Sequence, residues 1–380
     1  MFTQNILLGA NEDIAEGHCL NCHQRTQFQL PSIRKKLLYL DQSFLSAASL
    51  EAAEPKSKAV MRLYLKIRKL KDQQKIFVVV SDIHSRETSA IPDAYRDQRQ
   101  RLWAFQNDLA DGSISADLFK VFIAQQRRML TSDAATETFP VSDIGLNTPH
   151  QWRAGMRIQL TNHWRPKLDA SLARSRLETN DQYRRVLEQQ LTALPKCKDV
   201  FDCLNFVREL WQVDILKGIA AWRQKRDVMV ELATGRLPDL AEIEPNSPFR
   251  QLIDEVVRRL NADTAIRRWL ELIEGESTRF CAVVRIQTAF EAALLWQWRS
   301  GMQPSKPKTF NVEFGLSRNN DIGHVSTFVP YVDVLTTDND MLDLCGHEPV
   351  AYELAQFPCR IFATKNYAEF DSWLDSMLAA

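Results

Sequence analysis

Five acidic side chains, Asp41, Glu87, Asp321, Asp338 and Asp340, carry the strongest chemical signal in the chain. They stand where apolar, strand-like runs end or where helices start. An apolar strand rarely ends in a carboxylate without a partner, and one divalent cation accounts for several carboxylates at once. Gathered closely and left alone, such groups repel one another and some take up protons. With Mg²⁺ or Mn²⁺ among them they could activate a coordinated water for in-line attack on a phosphodiester and offset charge on the phosphoryl oxygens. Carboxylate and water ligands suit those hard ions and not zinc.

The elements that must position these residues can be read around each. Residues 36–40, Lys-Leu-Leu-Tyr-Leu, are apolar after the lysine, as in a parallel strand covered on both faces, and lead into Asp41-Gln42-Ser43. Asp41 is expected at the carboxyl end of that strand, the edge where ligands bind in open α/β sheets. A plainer reading makes it a helix N-cap only, and Ser43 could either cap the helix or hold a metal-bound water. Residues 76–80, Ile-Phe-Val-Val-Val, predict a second strand. Ser81 then caps a helix with Asp82 in its first turn and Glu87 beyond. The plainer reading there is a solvated first turn, with Asp82 favoured by the helix dipole. Late in the chain, 321–329 reads as a short amphipathic helix begun by Asp321. Pro330 breaks it, a strand follows, and Thr337-Asp338-Asn339-Asp340 opens another helix. A strand over 360–364 and a closing helix over 367–378 complete one α/β unit.

An apolar strand ending in Asp41-x-Ser43, a helical Glu87, and then Asp321, helix, strand and Thr337-Asp338-x-Asp340 resembles, in that order, the PIN-like nuclease family. The resemblance implies a three-layer α/β fold with a central parallel sheet, Mg²⁺ or Mn²⁺ bound by carboxylates, and hydrolysis of single-stranded RNA. Carried over, Asp41, Glu87, Asp321 and Asp338 match the four acidic positions that bind metal and catalyse. Thr337 and Asp340 match the residues beside the fourth, while Ser43 and Asp82 are supporting positions. The likeness covers 31–90 and 306–380. Compact members pass from the second acid to the third within a few tens of residues, whereas here 91–305 intervenes. A bacterial toxin or phage-defence role is a further implication of the likeness.

The intervening segment predicts helices over 97–109, 116–130, 148–168, 181–194, 200–232, 249–260 and 279–298, with apolar residues three and four apart and charges between them. Gly235-Arg236-Leu237-Pro238 and Pro245-Asn246-Ser247-Pro248 punctuate the joints. No repeat is evident. The expected organisation is an N-terminal segment 1–30, a first part of the nuclease unit 31–90, an all-helical insertion 91–305 and a second part 306–380. The insertion could gate the site, select substrate, self-associate or bind a regulatory protein.

Composition, with 45% hydrophobic and 25% charged residues, is that of an ordinary globular protein. The 48 basic and 48 acidic residues cancel, so an RNA substrate requires a local basic surface. The absence of a long apolar run or a signal-like start predicts a cytoplasmic protein without membrane association. Seven scattered cysteines fit reduced thiols. Cys19 and Cys22, flanked by His18 and His23, have the spacing of half a zinc site, yet no second pair follows at the usual distance. A plain turn and a redox pair remain open beside zinc; haem attachment is discounted because it needs export.

His84 and His324 flank the acidic residues, and Arg86 and Arg318 could hold a phosphate, although each type is more often an ordinary helix-face side chain. Phe206, Trp211, Trp222, Trp296 and Trp298 fall at helical spacing, as core residues do. Two rival classes compete with a nuclease. A phosphatase of the haloacid dehalogenase type wants Asp-x-Asp after the first strand, where this chain has Ser43. A non-catalytic protein would keep the carboxylates as remnants and bind a partner through the insertion.

Overall fold

The structure is a computed structural model that describes residues 4–8, 14–19, 25–49, 55–111, 115, 118–131, 138–146, 149–150, 197–234, 248–274, 280–299 and 312–379. Strands β1 (Gln4–Leu8), β2 (Ile14–Cys19) and β3 (Arg25–Gln29) form an antiparallel sheet that the sequence reading did not anticipate. β4 (Lys36–Tyr39) leads through α1 (Gln42–Ser49) and α2 (Pro55–Asp72) to β5 (Ile76–Val79) and α3 (Asp82–Ser89). Helices α4 (Arg96–Leu109), α5 (Leu118–Thr131), α6 (Val200–Ala233), α7 (Pro248–Val257), α8 (Ala262–Glu274) and α9 (Ala282–Arg299) follow. The chain closes with α10 (Val312–Phe328), β6 (Val334–Thr336), α11 (Asn339–Cys345), α12 (Val350–Leu354), β7 (Arg360–Phe362) and α13 (Tyr367–Ala379). The expected helices over 148–168 and 181–194 fall almost wholly outside the described residues, as does the Cys22-His23 half of the N-terminal motif.

β4 to β7 form one parallel sheet in the order β5-β4-β6-β7. Alternate residues feed opposite faces, as the two-residue period of a strand requires. Leu37, Tyr39, Phe77, Val79 and Leu335 enter one apolar cluster, while Leu38, Leu40, Ile76, Val78, Val334 and Phe362 enter another. Burial on both faces explains the unbroken apolar runs, and each such side chain contributes roughly 1.5–3 kcal/mol. At the amino edge Asp333 fixes register, its Oδ1 2.6 Å from Lys36 Nζ and its Oδ2 accepting from Leu37 N at 2.9 Å.

Helices α1, α2, α4 and α13 cover the Leu38 face. α4, assigned above to the insertion, thus packs with the sheet through Leu102 and Leu109. The Tyr39 face is covered by α10 and α11 and also by insertion residues such as Val121, Val207, Ile286 and Phe290. The insertion therefore shares a core with the sheet. A third cluster, including Trp222, Ile253, Ile266 and Trp269, holds α5 to α9 together. Glu353 of α12 anchors the contact, bonded by Arg208 of α6 at 2.8 Å and 3.7 Å from Arg285 of α9. Among the described residues, no helix is long and apolar enough to cross a membrane.

Candidate active site at the carboxyl edge of the sheet

β4 connects to β5 on one side while β6 and β7 lie on the other, so the strand order reverses between β4 and β6. Chain connections diverge there and leave a crevice beyond the strand ends, where open sheets bind ligands. Asp41 follows β4 at this point, and Thr336, Thr337 and Asp338 run out of β6 beside it. The Thr336 hydroxyl donates to Asp41 Oδ1 at 3.0 Å and accepts from Asp41 N at 2.9 Å. Ser43 donates to Asp41 Oδ2 at 2.6 Å, and Phe44 N reaches Oδ1 at 3.2 Å. Asp41 thus does cap α1, as its plainer reading held, while also being clamped to the far end of the chain. Burial raises its carboxyl pKa and these hydrogen bonds oppose the rise.

Glu87, on α3, receives a long 3.5 Å contact from Asn320 Nδ2, the residue before Asp321. Asp321 lies in the middle of α10, not at a helix start as expected, because the helix begins nine positions earlier at Val312. Helix termini reward a carboxylate; a middle turn does not, so this anion gains nothing from the dipole. Burial raises its pKa to about 8, and Asp338, Asp41 and Glu87 add to the rise against the opposing Arg318. Asp338, Asp41 and Glu87 therefore all act on Asp321, although the four come from separated segments.

Asp338 is exposed and caps α11, accepting from Met341 N at 2.6 Å. Asp340 is exposed too, 3.9 Å from the Arg318 guanidinium. Thr337 is buried, and its amide donates to Phe362 O at 2.8 Å, which holds the loop against β7. Asp82 pairs with Arg86 one turn on, at 2.6 Å. Arg86 is thereby engaged and faces solvent, leaving Arg318 as the guanidinium beside the carboxylates. Burial lowers the Arg318 pKa while Asp340, Asp338 and Asp321 hold it up.

A buried polar layer underlies the site. Tyr39 Oη lies 3.0 Å from Ser81 Oγ and 3.1 Å from His324 Nδ1. Ser81 N donates to His84 Nδ1 at 3.0 Å, which makes Nε2 the protonated nitrogen, donating to Leu40 O at 2.7 Å. Burial lowers His84 to about 4 and His324 to about 3, so both are neutral near pH 7. His84 is satisfied, whereas His324 Nε2 has no hydrogen-bond partner among the described residues. Beside this layer Gln106 of α4 donates to Gln42 Oε1 at 2.9 Å and to Thr88 Oγ1 at 3.0 Å. Gln42 also donates to Thr88 at 2.9 Å. The residues next to Asp41 and Glu87 are thus tied together. Sequence reading missed Thr336, Gln42, Thr88 and Gln106, since hydroxyls and amides show no pattern until the fold joins them.

The donor set has the chemistry for a hard cation: half-buried Asp41, Glu87 and Asp321 beside exposed Asp338 and Asp340, with the Asp321 carboxyl pushed toward its protonated form by its neighbours. Among the described residues no three His, Cys, Asp or Glu side chains are disposed to hold a metal as they stand. The bonds explain it, because Asp41 and Asp338 are turned onto their caps and Asp340 toward Arg318. His18 and Cys19 end β2, but the remaining residues of that zinc candidate lie outside the described set. Trp222 is buried in the insertion core, as expected, with Phe206, Trp211 and Trp296 packed nearby. No family model, no curated protein and no solved structure matches the chain.

Proposed function

We propose that the chain is a metal-dependent nuclease with a three-layer PIN-like fold, cutting phosphodiester bonds in single-stranded RNA. The observation that carries this reading is the repulsion that Asp41, Glu87 and Asp338 exert on Asp321 near a sheet's switch point. Carboxylates meeting there from both ends of the chain need a cation to be useful.

Asp41, Glu87, Asp321, Asp338 and Asp340 are the residues that would hold Mg²⁺ or Mn²⁺. That ion supplies Lewis-acid activation of a water and neutralises charge on the phosphoryl oxygens. Thr336 and Ser43 keep the Asp41 carboxylate aimed, which shortens the search for a reactive arrangement. Asp321, whose carboxyl pKa is raised to about 8, would have to be deprotonated to hold the ion. Arg318, released from Asp340, binds a non-bridging oxygen of the scissile phosphate. A cytoplasmic toxin or defence role is consistent with a helical insertion that restrains the site.

The alternative is a non-catalytic interaction protein on a degenerate version of the same fold, and the capping bonds of Asp41 and Asp338 favour it. Incubation with labelled single-stranded RNA, single-stranded DNA and duplex DNA, with Mn²⁺ or with chelator, separates the two. Chelator-sensitive RNA cleavage is the expected result. Intact substrates under all conditions would leave the interaction protein as the better reading.

A further inference from the structure

A cleft of about 560 Å³ opens between α6 and α8, sharing no residue with the carboxylates. Its walls are Trp222, Arg223, Arg226, Ile266, Arg267 and Leu270. The volume lies within the roughly 300–1,000 Å³ of small-ligand sites. Two acids also line it, and each has a nearby cation: Asp263 holds Arg226 at 2.6 Å and Glu271 holds Arg268 at 3.2 Å. Arg223 and Arg267 are exposed and have no ion-pair partner among the described residues. The Arg226 guanidinium lies over the Trp222 ring, 5.2 Å from its centre, making a flat cationic floor.

Cationic excess extends beyond the cleft. Between Lys217 and Arg226, α6 carries Arg223 and Lys225 as well; Lys217 pairs with Asp214 at 3.7 Å and Lys225 with Asp254 at 2.7 Å, which leaves Arg223 as the cation of this stretch without an ion-pair partner among the described residues. A protein with 48 charges of each sign has thus gathered arginines around one apolar-floored cleft. Guanidiniums grip phosphates, and flat aromatic or guanidinium surfaces stack bases.

We propose that this cleft binds single-stranded nucleic acid, with Arg223 and Arg267 on successive phosphates and a base stacked on the outer face of the Arg226 guanidinium, which lies over Trp222. The choice of a nucleic-acid ligand rests on the nuclease reading, but binding here needs no metal and is measured apart from cleavage. The test is fluorescence anisotropy of a labelled RNA oligonucleotide in EDTA, using the full chain, Arg223→Ala/Arg267→Ala and Arg223→Lys/Arg267→Lys. The alanine pair should weaken binding at least tenfold and lower the salt slope by about 1.4, at about 0.7 per phosphate lost. The lysine pair should recover part of the affinity, and the thermal midpoints of both variants should match that of wild type. Unchanged binding in the alanine pair would overturn the proposal. So would absence of binding by the wild type, preference for AMP over the strand, or displacement of RNA by poly-glutamate at equal charge.

Discussion

Thr336 and Asp41, 295 positions apart, exchange two hydrogen bonds at the carboxyl edge of the sheet, one at 3.0 Å and one at 2.9 Å. The pair joins the first strand of the parallel sheet to the third and fixes the carboxylate in the crevice. Thr336→Val keeps shape and burial but removes the hydroxyl. Metal affinity or cleavage should fall about 10- to 100-fold, as for partners that orient a ligand, with a stability cost of about 1–3 kcal/mol for the groups left unpaired. Cleavage kinetics and chemical unfolding measure the two effects. Wild-type values for both would mean that Thr336 positions nothing.

Asp321 gives stability a pH dependence opposite to that of an ordinary paired carboxylate. Its folded pKa of about 8 lies above the unfolded value of 3.8, so its contribution is intact below the lower value and is lost as pH rises through the higher one. His84 and His324 act the other way, because folded values of about 4 and about 3 lie below 6.5. Their contribution is intact above pH 6.5 and is lost as pH falls toward 4. In metal-free Asp321→Asn the histidines lift the thermal midpoint between pH 4 and 6.5 against the opposing pull of Glu291, which burial raises to about 7, and the midpoint should level off above pH 7. At pH 8 it should exceed wild type by at least about 1 °C, the response to roughly 1 kcal/mol in a chain of 380 residues. A scanning fluorimetry series checks both, and a continued fall above pH 7 in the variant would point to another group.

The parallel strands were legible because both faces are buried, which leaves the continuous apolar runs of β4 and β5. The carboxylates at their ends followed from the same argument. Asp321 was misplaced because 312–320 includes Ser317-Arg318-Asn319-Asn320, a poor helix former that tertiary packing holds in α10. At Gly323 an added Cβ would meet Leu118 Cδ1 at 2.9 Å, so α5 of the insertion presses against this helix. Two missed elements did leave signals. Asn261 caps α8 by accepting from Thr264 N at 3.0 Å, and Arg25-Thr26-Gln27-Phe28-Gln29 alternates polar and apolar as a half-covered strand does.

Gln106 should behave as a positioning residue for the early carboxylates. Gln106→Leu leaves Gln42 and Thr88 short of a partner in a buried setting, which costs about 1–3 kcal/mol. Metal-dependent cleavage should fall more steeply than stability explains, since Asp41 and Glu87 adjoin the residues released. Cleavage assayed well below the midpoint separates the two; activity that follows folded fraction alone would make Gln106 purely structural.

Arg318 is assigned to the phosphate. Arg318→Ala should slow cleavage about 100-fold, the scale for loss of one charge-stabilising donor, while metal binding holds or tightens as a competing cation leaves. Arg318→Lys should retain more activity than alanine, but not all of it, because ammonium lacks the planar fork. Single-turnover rates with calorimetric metal titrations decide the matter. Undiminished cleavage by the alanine variant would return the role to Arg86 or to none.

Titration of the protein with Mn²⁺, followed by electron paramagnetic resonance of the free ion, tests most directly whether early and late carboxylates share a cation. Wild type should bind Mn²⁺, and Asp41→Asn and Asp321→Asn should each weaken that binding at least tenfold although one residue lies in the first strand's exit and the other in α10. Binding that is absent in wild type, or unchanged in either variant, would contradict the shared site.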